Sequence, residues 1–187
     1  MSTNKKKEKR IVESIDVPEG CQVTIQENVM KVKGKSGEVQ RMLADPEVEI
    51  VQRENVITLS SENVSRNGKR MLMTFRAHIK NLIQGVNEKF VYTLKICSGH
   101  FPMTVKVEKS QVMVSNFLGE KIPRKAKILP GVDVKVDKEM ITVSSSDIEA
   151  AGQTAANIET MTRIRNRDRR VFQDGCYIVE TPRKKFI

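Results

Sequence analysis

The chain of 187 residues contains no tryptophan, and aromatic residues make up only 4% of it. So few rings exclude a broad stacking platform for single-stranded nucleic acid, which seats successive bases on aromatics. Only three cysteines occur, Cys21, Cys97 and Cys176. They are too few and too scattered for a disulfide framework and fit a reduced cytosolic or nuclear setting. No apolar run approaches the roughly 18 residues that a membrane-spanning helix needs. The basic N-terminus is followed by no apolar stretch, so it does not read as a secretory signal. The sequon Asn63-Val64-Ser65 is then a chance match, because glycosylation needs a secretory route.

What the chain does have is charge. Charged residues make up 30% and hydrophobic residues 39%, which suits a soluble globular protein with modest cores. Lysine and arginine total 33 against 23 acids, a formal charge of +10. Its placement is uneven. Residues 1–10 carry +4, residues 163–185 carry +5, and the remainder only +1. A nearly neutral body with two basic ends points to an anionic partner, since no fold requires such ends for itself.

Hydrophobic periodicity organises the body as two copies of one unit. Val23-Thr24-Ile25 and Val29-Met30-Lys31-Val32 read as a hairpin around Glu27-Asn28. Val48 and Ile50, then Val56, Ile57 and Leu59, supply further short strands separated by Arg53-Glu54-Asn55. A helix follows, with Leu72, Phe75, Ile79, Leu82 or Ile83, and Val86 on one face. Asn63 or Ser65 caps its start, near Asn67, and Gly85 marks its end. The order then repeats. Val32 and Gly37-Glu38 fall on Val114 and Gly119-Glu120 at an offset of 82 residues. Val48-Glu49-Ile50 and Ile57-Thr58-Leu59-Ser60-Ser61 fall on Val132-Asp133-Val134 and Ile141-Thr142-Val143-Ser144-Ser145 at an offset of 84. A second helix starts at Asp147, its N-cap, and buries Ile148, Ala151, Ala155, Ile158 and Met161 or Thr162.

Between the copies, Phe90 to Ile96 reads as a strand. A turn at Asp174-Gly175 feeds a last one. The expectation is an α+β fold of two tandem similar domains, an internal duplication, each an antiparallel sheet covered by one helix. The boundaries are a basic N-terminal tail (1–10), a first repeat domain (11–87), a second (88–180) and a C-terminal tail (181–187).

Little in the sequence points to catalysis or to a cofactor. Lys33-Gly34-Lys35-Ser36-Gly37 contains Gly-Lys-Ser, but Val29 stands where a P-loop has its first glycine, and no helix follows. It reads as a basic turn between strands. Cys97 and His100 are neighbours, yet with Cys21, Cys176 and His78 they show no paired zinc spacing, so no metal is expected. Asp45, Glu47 and Glu49 read as solvated carboxylates. The one catalytic alternative is a hydrolase or transferase in which Cys97 is activated by His78 or His100, a pairing that only spatial proximity would make.

The basic C-terminal run is more informative. Arg163, Arg165, Arg167, Arg169 and Arg170 fall within eight residues, with only Asp168 to offset them. All are arginine, whose planar fork matches phosphate oxygens in pairs. Lys121, Arg124, Lys125 and Lys127 are expected on a nearby strand, where Lys125 and Lys127 share a face. The run Lys5-Lys6-Lys7, Lys9 and Arg10 reads equally well as a phosphate-binding arm, a nuclear import signal or a solubilising tail.

Several segments together resemble one known family. They are Asn116-Phe117-Leu118-Gly119-Glu120-Lys121, Pro130-Gly131-Val132, and Arg167-Asp168-Arg169-Arg170-Val171-Phe172-Gln173-Asp174-Gly175-Cys176-Tyr177. His78 to Val86 and the opening Pro18-Glu19 with Val23-Thr24-Ile25 agree. The chain, over roughly residues 11 to 180, is similar to the sixth universal large-subunit ribosomal protein family, numbered ninth in eukaryotes, in its eukaryotic or archaeal branch. Two departures stand out: Glu159 where the family usually has Gln, and Gln173 where a hydrophobic residue is common. An acid at 159 is unfavourable beside RNA, so its face is expected to turn away.

The resemblance implies two similar α+β domains and no catalysis. It implies a structural role in the large subunit, with the second domain holding large-subunit rRNA near the sarcin–ricin loop and the factor-binding region. Neighbouring ribosomal proteins would be further partners, with no membrane and no small-molecule substrate. The setting would be the cytoplasmic ribosome, with nuclear or nucleolar passage during assembly in a eukaryote. The five arginines would anchor the RNA, with Lys121, Arg124, Lys125 and Lys127 in support.

Overall fold

A computed structural model describes residues 10–26, 28–62 and 65–185. The chain divides into two compact units, the first ending at Glu88 and the second starting at Lys89. The run Lys5-Lys6-Lys7-Glu8-Lys9 lies outside the described residues. Arg10 begins them and forms an ion pair with Glu62.

The first unit holds six strands and one helix: β1 (Ile11–Asp16), β2 (Gln22–Gln26), β3 (Val29–Gly34), β4 (Gly37–Met42), β5 (Glu49–Arg53), β6 (Val56–Ser61) and α1 (Arg66–Asn87). They form two antiparallel three-stranded sheets, β1-β6-β5 and β2-β3-β4. Alternation dictates the buried faces. Met30 and Val32 of β3 and Ile57 and Leu59 of β6 point inward against Leu72, Phe75, Ile79 and Val86 of α1. The Ser65 side chain accepts from the Gly68 N–H at 3.0 Å, so Ser65 is the N-cap. Gly85 does not end the helix. It lies buried inside the last turn, and α1 continues to Asn87 because the Glu88 N–H still bonds the Gln84 carbonyl.

The second unit repeats the plan: β7 (Phe90–Cys97), β8 (Thr104–Glu108), β9 (Gln111–Ser115), β10 (Arg124–Lys127), β11 (Val132–Asp137), β12 (Met140–Ser145), α2 (Ile148–Met161), β13 (Gly175–Thr181) and β14 (Lys184–Lys185). Its sheets are β10-β9-β8 and β11-β12-β7-β13-β14. The Asp147 side chain accepts from the Glu149 N–H and caps α2. Ala151, Ala155 and Ile158 of α2 pack on Leu94, Ile141, Val143 and Cys176. A satellite cluster of Val114, Phe117 and Ile164 continues the core beneath the loop after α2.

The α+β class and the tandem duplication stand as expected, but each unit carries two sheets instead of one. The duplication extends to backbone detail. Glu54 and Lys138, 84 residues apart, turn the β5–β6 and β11–β12 hairpins with φ of 49° and 48°. Left-handed residues are what a tight hairpin with right-twisted strands demands. One expected equivalence fails. Gly37 opens β4 straight after a two-residue turn, whereas Gly119 sits in a short 3₁₀ turn (Phe117–Gly119) and β10 begins only at Arg124. The second copy has lengthened this connection, and the extra residues include the Asn-Phe-Leu-Gly-Glu-Lys segment. The C-terminal tail also differs from expectation. Thr181 ends β13, which pairs back on β14, so residues 181–185 belong to a hairpin.

The basic turn at Lys35-Ser36 joins β3 to β4 and opens no helix. The Ser36 N–H donates to the Val86 carbonyl at 2.7 Å, which draws the turn onto the end of α1. A Cβ on Gly34 would lie 2.8 Å from both the Val86 carbonyl oxygen and its Cγ2. Backbone cannot yield as a flexible side chain can. Gly34→Ala should therefore lower the unfolding free energy by about 1–3 kcal/mol, the usual range for overpacking. Urea denaturation measures this. An unchanged midpoint would show that α1 and the turn separate freely.

Candidate nucleic-acid interface

The helix α2 ends where the Thr162 hydroxyl donates to the Glu159 carbonyl at 3.2 Å and accepts from the Cys176 N–H at 2.9 Å. Thr162 is buried, so this bond stitches the helix end to β13. Residues 163–174 then form a loop that alternates Arg163, exposed, with Ile164, buried. Ile164 plugs the satellite core and turns the arginines on either side of it outward.

All five arginines of the run are solvent-exposed. Arg170 is engaged by Asp168 through its Nε, its Nη2 and its backbone N–H. That pairing holds the Asp168 carboxyl below its ordinary range. Among the described residues, Arg163, Arg165, Arg167 and Arg169 have no carboxylate partner. Arg163 and Arg165 line a groove of about 730 Å³ together with Arg124, Lys125 and Lys127 of β10 and Asn157 and Thr160 of α2. Lys125 and Lys127 share the exposed face of β10, while Ala126 between them is buried.

Two of the expected site residues take other places. Lys121 is exposed but precedes β10, in the bend before Pro123. Arg124 is on β10, but its guanidinium is engaged by the protein. Nε donates to Glu120 Oε2 at 2.8 Å and Nη2 to Oε1 at 2.5 Å. Nη1 donates to the carbonyls of Met161 and Arg163 at 2.9 and 3.2 Å, and the plane lies 4.2 Å from the Phe117 ring centroid. Arg124 thus satisfies carbonyls at the end of α2 and supports the groove from below. Its hydrogen bonds hold the Glu120 carboxyl below its usual value.

The far end of the loop hangs on Asp174. Its buried carboxylate accepts from the backbone N–H groups of Gly99 and His100 at 2.6 and 2.9 Å, and its Oδ2 lies 2.6 Å from His100 Nδ1. Burial pushes its pKa upward, but the hydrogen bonds from His100 and Gly99 outweigh this and hold it below 3.8. The His100 ring stacks on Phe172 with centroids 4.6 Å apart, and Arg167 lies over the same Phe172 ring at 4.8 Å. Glu159 is not turned away from the basic loop. It lines a second hollow with Arg163, Arg169 and Tyr177, and its Oε1 accepts from the Ile178 N–H at 3.1 Å. Ile178 adjoins the bulge where β13 slips against β7, so the acid satisfies a backbone donor there.

Sequence reasoning missed Asp174, His100 and Phe172 as the groups that shape the loop. The Asp-Gly pair signals a turn, and nothing local says that residues 74 and 75 positions upstream will meet it. Burial pushes Cys176 up to about 12, and the ring of His100 is directed at Asp174. His78 sits on α1, 3.3 Å from Arg41. Among the described residues no cluster could hold a metal ion, and no helix is long and apolar enough to cross a membrane.

Comparison with known proteins finds relatives along nearly the whole chain. A family model described as ribosomal protein L6 matches residues 17–89 and again residues 101–175, one match for each unit. The large ribosomal subunit protein uL6 of Methanosarcina mazei is 45% identical over 172 residues, covering 92% of this chain and 98% of that protein. Its counterpart in Methanobrevibacter smithii is 44% identical over 169 residues, covering 90% and 95%. That of Methanothrix thermoacetophila is 44% identical over 170 residues, covering 91% and 97%.

Three outcomes follow from the loop's supports. Asp174→Asn keeps the shape but loses the charge and replaces one acceptor oxygen with an NH2, which opposes either His100 Nδ1 or the two backbone N–H groups, so stability at neutral pH should fall by about 1–3 kcal/mol. The depressed pKa of Asp174 means that its stabilisation is present above 3.8 and is lost as pH falls through the native value. The wild type should therefore lose more stability than the variant between pH 4 and pH 2, measured by denaturant titration at each pH. Parallel curves would disprove the role given to the carboxylate. Arg124→Gln should lower Tm, because two carbonyls at the end of α2 lose their donor.

Proposed function

The chain belongs to the ribosomal protein L6 family, and from that membership we propose that its second unit anchors it to large-subunit rRNA. The family is a structural constituent of the large ribosomal subunit and not an enzyme, which removes the reading of Cys97 as a nucleophile. Its partners are rRNA and neighbouring ribosomal proteins, and its setting is the ribosome. In our reading the second domain, residues 88–180, binds rRNA near the sarcin–ricin loop and the factor-binding region. If the source is a eukaryote, assembly takes the protein through the nucleolus.

One observation carries the assignment to the second unit. Arg163 and Arg165 join Lys125 and Lys127 around one open groove, and no carboxylate among the described residues pairs with them. Four cations held together repel one another, and an RNA backbone supplies the missing counter-charge. Rings are too few for base stacking, so the mechanism is phosphate neutralisation with recognition of folded RNA shape. Arg167 and Arg169 extend the basic surface along the loop. Lys121 adds charge at the border. Arg124 contributes by holding the end of α2 in place.

Replacing Arg163, Arg165, Arg167, Arg169 and Arg170 with Gln should weaken binding to large-subunit rRNA. The log–log salt slope should flatten by roughly 0.7 to 0.9 for each phosphate that is no longer neutralised. Filter binding at a series of salt concentrations measures both. Unchanged affinity and slope would overturn the assignment of the anchors.

A further inference from the structure

The near-neutral body of the chain conceals a strong separation of charge. Residues 11–65 carry five bases and ten acids, a balance of −5, whereas the α1 residues 66–87 carry five bases and no acid, a balance of +5. The bases are Arg66, Lys69, Arg70, Arg76 and Lys80. At about 100° per residue, Arg66, Lys69, Arg70 and Lys80 fall within one sector of roughly 100°. All four are exposed, and the sector lies opposite the buried stripe of Leu72, Phe75, Ile79, Leu82 and Val86. Arg76 lies at the flank and is paired with Glu13 at 3.4 Å.

This arrangement works against the helix that carries it. The N-terminus of a helix has positive dipole charge and favours acids, yet the first turn of α1 has none and holds Arg66 and Lys69. Arg66 and Arg70 are a like-charge i,i+4 pair, as are Arg76 and Lys80, and such pairs are unfavourable. No described carboxylate relieves the exposed four. Arg70 donates only to the Asn67 side chain, at 2.6 Å, and Arg66, Lys69 and Lys80 have no side-chain partner among the described residues. Acids are abundant in the same unit, but the ten in residues 11–65 come before α1 in the chain, on strands such as β1, β4 and β5 and in the connections between strands. A charge pattern that opposes the fold at several positions, on one continuous exposed face, calls for an external anion.

We infer that the exposed face of α1 is a second rRNA-binding surface, in the first unit, contacting the phosphate backbone of a folded RNA segment. From Arg66 to Lys80 the face runs about 21 Å at 1.5 Å per residue. That length matches several successive phosphates, and the side chains provide cations and a guanidinium fork but no aromatic for a base. The inference rests on membership of a ribosomal family, but not on the arginine loop of the second unit.

The test is a four-site variant of the full chain, Arg66→Gln, Lys69→Gln, Arg70→Gln and Lys80→Gln. Glutamine keeps helix propensity close to that of the originals. Against large-subunit rRNA the salt slope should flatten by roughly 3, at 0.7 to 0.9 per phosphate. Between 50 and 200 mM salt the wild type should then lose on the order of fifty- to a hundred-fold more affinity than the variant. Tm should stay level or rise, since like-charge repulsion is relieved; a purely structural role would lower it. In salt-washed subunits, ultraviolet cross-linking should yield nucleotide adducts on peptides covering residues 66–80.

An unchanged salt slope would overturn the inference. So would carbodiimide coupling of Lys69 or Lys80 to a carboxylate of a neighbouring protein, which would identify an acidic protein as the occupant. The five-arginine variant, assayed in parallel, reports on the second unit alone, so either surface can fail while the other stands.

Discussion

The carboxylate of Asp174 is the constraint on which the basic surface of the second unit depends. It lies buried against the segment that follows β7, and it gathers two backbone N–H groups and the His100 ring. A buried carboxylate is stable only when such donors replace its lost hydration. Once they do, the loop after α2 has a fixed far end. Ile164 fixes its near end by entering the satellite core, and Phe172 stacks on His100 to hold the stretch before Asp174. A loop tied at both ends cannot retreat from its own repulsion. The arginines therefore stay clustered and exposed.

The duplicated fold shows where two copies of one unit have diverged. Strand order, hairpin turns and helix placement recur, down to the left-handed residues at Glu54 and Lys138. The copies diverge in their connections and in their charge. The two-residue turn between β3 and β4 becomes a longer excursion between β9 and β10, where Glu120 and Phe117 hold Arg124. The short helix α2 has an apolar, small-residue face and passes its positive charge to the loop beyond it. The longer α1 carries its positive charge along its own exposed side. In both units the cations stand where the protein offers them few acids.

Much of the fold was legible in the amino-acid pattern. Period-two alternation marked β3, β6, β9 and β12, and the 3.6 spacing from Leu72 to Val86 marked α1, because burial of one face leaves a periodic trace. The cap Asp147 was legible for the same local reason, and Ser65 was one of two candidates beside Asn63. Gly85 misled, since a glycine can be retained for close packing inside a helix as well as for a stop. The split of each unit into two sheets was not legible, because strand pairing joins residues far apart along the chain.

The arginine run, the duplication and the family were in the sequence itself, since composition, periodicity and motif order are properties of a string. Which cations stay free and which hold the protein together was decided only by the tertiary structure. Arg124 and Arg163 look alike in sequence, yet one is surrounded by Glu120, two carbonyls and a ring while the other faces an open groove. Likewise Glu159, which reads as a misplaced acid, serves a backbone donor on β13. The physical reason is common to all of them. Electrostatic fate depends on distance in space and on access to water, and folding sets both.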